Sequence, residues 1–374
     1  SRGLGDVYKR QAQNLMKFRT ETGNQKEIKE CLEYACNLFK DYPVKGGICE
    51  YPGVSPVLFL SNADTTDFDV VCLGHLDVVP AEESMFSPYI KDGKLYGRGS
   101  LDMKSFAAVA LNSLEHVLKN KLPLKFAVIL STDEEKGSKS THAFMDAHPD
   151  MTAKIVLDND VGGDILKIVT KCKNPVFVKI TAEGEAAHGS TPWDGVDANE
   201  LLMQTLANIR KIYPYYSKGG VQPQDQWIDT VHVATINGGE VSNIIASHAE
   251  AVLDFRLTET SSVENLKKNL DSCMVPGVSY KISSESTPVV MDENNPYILD
   301  YKRFAEQILG KEIEFEHIGG ATDSRSFAVR GSTVIMHSGS GEGMHAPGEF
   351  VEVDSVEKIA DIQIRFLDKL AYQQ

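Results

Sequence analysis

Short apolar runs that end abruptly in histidines and carboxylates constrain this chain more than any other feature. Residues 69–73 run into Gly74-His75-Leu76-Asp77, residues 125–130 into Ser131-Thr132-Asp133-Glu134-Glu135, and residues 153–157 into Asp158-Asn159-Asp160. Brief apolar runs bounded by turns suit strands covered on both faces, as in a parallel sheet. A further strand is expected at 56–60. Helical spacing lies between and before these runs, at 105–118, at 141–147, and over 12–41, where Leu15, Phe18, Ile28, Leu32, Ala35, Leu38 and Phe39 recur. Alternating strands and helices indicate an α/β layer with a mostly parallel sheet. In such sheets sites form beyond the carboxyl ends of strands, where the polar clusters fall.

The pattern changes after Cys172. Strands are expected at 176–181, 228–236, 249–257 and 278–282, and helices at 198–212 and 263–271. That order is β-α-β-β-α-β, the ferredoxin-like arrangement. The chain then returns to α/β, with helices at 297–309 and 355–370 around a strand at 333–336. The expected partition is one α/β domain from 12–173 and 288–374, interrupted by an α+β domain at 174–287. Residues 1–11, with the run Asp6-Val7-Tyr8-Lys9-Arg10-Gln11, read as a non-native scar. A natural polar arm is the other reading.

Composition narrows the function. A net charge of -15 opposes binding to a phosphate backbone, so no nucleic-acid partner is expected. No apolar run has the length of a membrane span. The six cysteines show no CxxC spacing and read as reduced thiols, which points to the cytoplasm.

Each polar cluster is a weak signal alone. In an extended segment His75 and Asp77 point to the same side, so one can bind a metal while the other orients the imidazole; many such pairs are only structural. Asp102, in Gly97-Arg98-Gly99-Ser100-Leu101-Asp102-Met103-Lys104, stands where a helix N-cap also belongs. Asp133, Glu134 and Glu135 repel one another unless a cation lies among them, or unless they form a solvated loop. A last cluster, Gly343-Met344-His345-Ala346-Pro347, lies in a Gly-rich loop.

Taken in order, the segments GHLDVVP, GRGSLDMK, STDEE, LDND, AAHGSTP, GGEVSNIIA, DFR, GGATDSR and MHAPGE closely resemble the M20 family of metallopeptidases and acyl-amino-acid hydrolases, from about Leu15 to the C-terminus. The family includes acetylornithine deacetylase, succinyl-diaminopimelate desuccinylase, aminoacylase and carboxypeptidase G. The resemblance implies two divalent metal ions held by His75, Asp102, Glu135, Asp158 and His345, with Asp102 as the bridge. Such a ligand set suits Zn²⁺, and Co²⁺ or Mn²⁺ can substitute. Asp77 would orient His75, and Glu134 would be the general base. The family carries Asp or Glu at the position of Asp158, and Asp160 competes for it. Ser105 stands where the family usually has Gly. The resemblance also implies a cis peptide after Asp102.

From the inserted domain, a lid and dimerisation domain by resemblance, His188 would stabilise the oxyanion in the partner subunit of a homodimer. Asn243 would contact substrate, and Arg256, with Arg325 sharing the task, would hold a free carboxylate. Read without the family, His188 is a turn residue and Arg256 a sheet-surface charge. The expected activity is hydrolysis of the amide bond in an N-acyl amino acid or short peptide. Alternatives are a di- or tripeptidase or carboxypeptidase of the same family, and an inactive metal-binding homologue. A phosphate-binding loop fails on spacing, because GRGSLD fits neither GxxxxGK[ST] nor GxGxxG.

Overall fold

The computed structural model describes residues 2–284 and 286–372. The chain divides into two units, one of Ser1–Thr170, Met291–Glu316 and Thr322–Gln374, the other of Lys171–Val290 and His317–Ala321.

The main sheet contains β1 (Lys45–Cys49), β2 (Val57–Ser61), β3 (Asp67–His75), β4 (Phe126–Ser131), β5 (Thr152–Asp158), β6 (Lys167–Cys172) and β7 (Thr333–Met336), in the order β1-β2-β4-β3-β5-β7-β6. The four strands β4, β3, β5 and β7 run parallel; their neighbours on both sides pair antiparallel. Every residue of β4 and β7 is buried, and β3 is buried continuously from Val70 to His75. This two-sided burial explains why these strands read as unbroken apolar runs rather than as alternation. The helix Lys104–Asn120 is buried along its whole face from Lys104 to Leu114. It packs with helices Arg2–Lys17 and Val353–Tyr372 over a core that includes Phe106, Leu114, Val128, Ile155 and Phe366. Each such side chain contributes about 1.5–3 kcal/mol by leaving water. Helix Arg2–Lys17 begins inside the segment 1–11 and sends Tyr8, Ala12, Leu15 and Met16 into that core at helical spacing.

A small antiparallel sheet of Tyr89–Lys91, Lys94–Tyr96, Gly341–Glu342 and Phe350–Glu352 was not expected from the sequence. Strands of two or three residues leave no periodic trace. The pairing Phe350↔Tyr96 ties the loop containing His345 to the segment that leads into Asp102.

The second unit has a sheet ordered Thr230–Gly238, His248–Leu257, Asn174–Glu183, Val278–Ser284, antiparallel throughout. Strand Asn174–Glu183 alternates buried and half-buried residues, because helices Ala198–Ile212 and Val263–Cys273 cover one face. Val176, Val178, Ile180, Leu253 and Phe255 meet Leu202, Ile209, Leu266 and Leu270 in a separate core. Asp197 and Ser262 cap the two helices by accepting the amides of Asn199 and Asn265. This is the ferredoxin-like α+β insert expected from the element order, within an α/β protein. No helix among the described residues is long and apolar enough to cross a membrane, and the six cysteines are free thiols.

Candidate metal centre

The parallel strands end side by side, with His75 level with Ser131 and Leu73 level with Asp158. Their exits therefore deliver His75, the Glu134-Glu135 pair and the 158–160 segment to one place. The turn after Gly97 adds Asp102, and the C-terminal loop adds His345. All lie in the first unit.

Asp102 stands between the two imidazoles. Its Oδ1 is 3.0 Å from His75 Nε2 and its Oδ2 is 2.9 Å from His345 Nε2. His345 Nε2 is also 3.1 Å from Glu135 Oε2. On the other side, His75 Nε2 is 3.7 Å from Asp160 Oδ2. Two groups, His75 with Asp102 and Glu135, and His75 with Glu134 and Asp160, each hold their ligand atoms within 4.8 Å of one another. Asp160, not Asp158, is the strand-end carboxylate in these groups. Asp158 turns its Oδ1 back to accept the Asp160 amide at 2.8 Å. Between them Asn159 points into the core, donating to the His337 carbonyl and accepting from Gln363. The Asp102–Met103 peptide is cis, and helix Lys104–Asn120 starts beyond it without a cap from the Asp102 side chain.

Asp77 organises the first turn of this arrangement. His75 Nδ1 lies 3.0 Å from its carbonyl and 3.4 Å from its Oδ1. Its Oδ1 accepts the Glu134 amide, and its Oδ2 accepts the Glu135 amide and the Thr22 hydroxyl. Glu134 and Glu135 sit in a short 3₁₀ turn, Glu134–Lys136, rather than in extended chain. Successive side chains in such a turn diverge by about a third of a revolution, so one joins Asp160 and the other His345. Asp133 leaves the site altogether and accepts the Ser140 amide and hydroxyl at the start of helix Lys139–Ala147.

The electrostatics call for positive charge. Burial, then the neighbouring Asp160, lifts Glu134 well above the usual carboxylate range. Burial and Asp102 push Glu135 up to about 7, and burial raises Asp160 to about 6. Burial opposes charge on His75, yet hydrogen bonds to Asp102, Asp160 and Asp77 raise it well above its ordinary value. Glu135 Oε1 is buried and takes no hydrogen bond among the described residues. Buried carboxylates that crowd one another in this way fit divalent cations.

Three residues in the quoted segments, none given a role above, belong to this neighbourhood. Asp323 Oδ2 accepts Thr141 at 2.6 Å and Ser131 at 3.3 Å, beside Glu134. Glu349 and Arg98 form a buried pair behind Asp102. The only sequence sign is their place within GGATDSR, MHAPGE and GRGS. Arg325 Nη2 is 3.9 Å from Asp323 Oδ1, while its Nε and Nη1 are buried without a hydrogen bond among the described residues.

The remaining expected residues lie in the second unit. His188 is exposed, with Nδ1 2.8 Å from Ser190 Oγ and accepting the Ser190 amide at 3.1 Å. It pairs across the chain with Ile244, and Gly189 donates to the Asn243 carbonyl, so His188 and Asn243 share one loop pair. Arg256 is gripped through Nε and Nη2 by both oxygens of Asp254, at 2.8 and 3.0 Å.

A strand-end cluster of two imidazoles and several carboxylates defines a metallohydrolase-type centre. The profile of peptidase family M20/M25/M40 matches residues 71–369, and the chain belongs to that family. It is 26% identical to an uncharacterised metallohydrolase of Methanocaldococcus jannaschii, across 78% of each protein. It is also 26% identical to an acetylornithine deacetylase of Shigella sonnei, across 79% of this chain and 78% of that one. In fold it is similar to an M20 metallo-carboxypeptidase of Sulfolobus solfataricus (TM-score 0.81, 19% identity, 96% of this chain and 98% of that one). The aminopeptidase PepT of Bacillus cereus is similar in the same sense (TM-score 0.79, 18% identity, 98% and 99%). The protein is a hydrolase of the metallopeptidase family.

Proposed function

We propose that this protein hydrolyses the amide bond of an N-acyl amino acid or short peptide bearing a free carboxylate, using two divalent ions of the Zn²⁺ type. The observation that carries the reading is Asp102, whose two oxygens face His75 on one side and His345 on the other. His75 and Asp160 would hold one ion, Glu135 and His345 the other, and Asp102 both. Bound there, the ions would supply Lewis acidity to the scissile carbonyl and the attacking water.

The side chains do the rest. Asp77 fixes the His75 ring and, through two amides, the turn carrying Glu134 and Glu135. Glu134 is the spare carboxylate: it takes the proton of the attacking water and passes it to the leaving amine. A purely structural metal site has no use for such a group. Arg325, with buried N–H groups that make no hydrogen bond among the described residues, suits a substrate carboxylate. Roles for His188 at the oxyanion, Asn243 at substrate and Arg256 at the carboxylate rest on the family likeness, as does the homodimer. In keeping with a second copy, strand Thr230–Gly238 is an outer strand of its sheet, and Ile236, Val241 and Ile244 are exposed. The likeness to acetylornithine deacetylase favours an N-acyl amino acid over a peptide. The test is a panel of N-acetyl and N-succinyl amino acids, dipeptides and tripeptides on Zn²⁺-, Co²⁺- and Mn²⁺-loaded protein. Turnover of free-carboxylate substrates with loss on amidation supports the proposal. No hydrolysis across the panel with both ions bound rejects it.

A further inference from the structure

We infer that Glu349 is a positioning residue that sets the Asp102 bridge and locks it to the loop carrying His345, an inference that rests on Asp102 bridging the two ions. Glu349 is fully buried. Its Oε1 accepts the amides of Leu101 at 2.8 Å and Asp102 at 3.1 Å. Its Oε2 accepts the Gly99 amide at 3.2 Å and Arg98 Nη1 at 2.5 Å. Its own carbonyl accepts the Gly97 amide at 3.1 Å. One residue thus receives five hydrogen bonds from the turn 97–102.

The turn is shaped for this. Gly97 and Gly99 have φ of 139° and 83°, values that side-chain-bearing residues rarely adopt. With those dihedrals the amides at 99, 101 and 102 converge on one point, the concave arrangement that backbone N–H groups offer to an anion. The anion here is a side chain of the protein itself. A buried carboxylate is costly unless fully hydrogen-bonded; this one uses both oxygens, and the last amide it holds belongs to Asp102. His345 lies four residues earlier in the same loop, at a φ of 60°. Glu349 therefore spans the two segments that supply the bridge and its C-terminal imidazole partner, the part that outer groups play behind metal ligands.

The test is Glu349→Gln, which keeps shape but turns one oxygen into a donor, so that an NH₂ group faces either the Leu101 and Asp102 amides or the Gly99 amide and Arg98. Co²⁺ and Zn²⁺ are titrated into chelator-stripped protein in competition with an indicator. The visible spectrum of the Co²⁺ form is recorded as a report on coordination geometry that simple destabilisation would not move. The expected result is a folded protein, by circular dichroism, with ion affinity about 10–100-fold weaker and an altered Co²⁺ spectrum. Wild-type affinity and spectrum in folded Glu349→Gln would overturn the inference. If that variant does not fold, Glu349→Asp, which draws the carboxylate back by one methylene, carries the same expectation and the same refutation. Failure of both to fold overturns it too, since Glu349 would then serve folding alone. Asp102→Ala run alongside separates the levels: if it too retains both ions, the bridging assignment fails; if it loses them while Glu349→Gln keeps them, only the role of Glu349 fails.

Discussion

Replacing Glu134 by Gln tests the separation of chemistry from scaffold, because it preserves shape and removes one charge. Glu134, His75 and Asp160 hold ligand atoms within 4.8 Å of one another. At that distance two ionised carboxylates repel by about 3 kcal/mol at an effective dielectric constant of about 20. Bound cations offset this repulsion; the ion-free protein has to carry it. Two results follow. Loaded Glu134→Gln should keep both ions while turnover falls about a hundredfold or more, a barrier rise of about 3 kcal/mol or more. Ion-free Glu134→Gln should be more stable than ion-free wild type, increasingly so as pH rises. Burial and Asp160 raise the Glu134 carboxyl well above the 4.5 it has when unfolded. Its contribution to stability is thus complete below about 4.5 and lost as pH climbs through the folded value. The ion-free wild type should melt progressively lower across this range, and the Gln variant should decline less, the gap approaching about 3 kcal/mol. Elemental analysis, steady-state kinetics and thermal melts in chelator between about pH 5 and 9 make the comparison. A metal-replete Gln variant turning over like wild type, or melting curves that stay parallel with pH, would refute the reasoning.

Asp160→Asn should lower ion content and activity together, whereas Asp158→Asn should retain ions; elemental analysis showing the reverse would return the ligand role to Asp158. Mixing inactive Glu134→Ala with inactive His188→Ala by subunit exchange should restore up to about half of wild-type specific activity per mixed dimer, since one of its two sites is whole; no recovery despite exchange, or a fully active monomer, ends the in-trans role of His188. Buried His337, donating from Nε2 to the Ile165 carbonyl at 2.8 Å, is held down by burial to about 4 from the ordinary 6.5. Stability should therefore be intact above pH 6.5 and fall by about 3 kcal/mol as pH drops to 4; His337→Gln should flatten that fall, and an unchanged acid profile in melts would count against it.

The strand ends were legible because a sheet covered on both faces leaves uninterrupted apolar runs, and chemistry collects where such runs stop. That rule marks the clusters around His75 and around 133–135, but the choice of His75, Glu134 and Glu135 over Asp133, which turns to Ser140, came only from the family resemblance. The choice between Asp158 and Asp160 did not. It depends on Asn159 being drawn into the core by Gln363 and the His337 carbonyl, partners more than 170 residues away in sequence. Glu134 and Glu135 part in a 3₁₀ turn, too short to leave a period in the sequence. Glu349 could be quoted within MHAPGE but given no task, because its partners are backbone amides, which carry no residue-type signal.

The position of β7 bears on how the protein is made. It is inserted between β5 and β6, though residues 159–332 separate it from β5 and residues 173–332 from β6 along the chain. A ribosome that has finished Thr152–Asp158 and Lys167–Cys172 has produced two strands with a slot between them. The slot fills only when Thr333–Met336 emerges, shortly before His345 and Glu349. A chain that ends before His345 lacks one of the proposed ion ligands, so fragments of that length should be unable to cut amide bonds. The open slot is also the edge through which truncated products would pair with one another, so stops that fall before Thr333 should yield insoluble protein rather than weakly active protein.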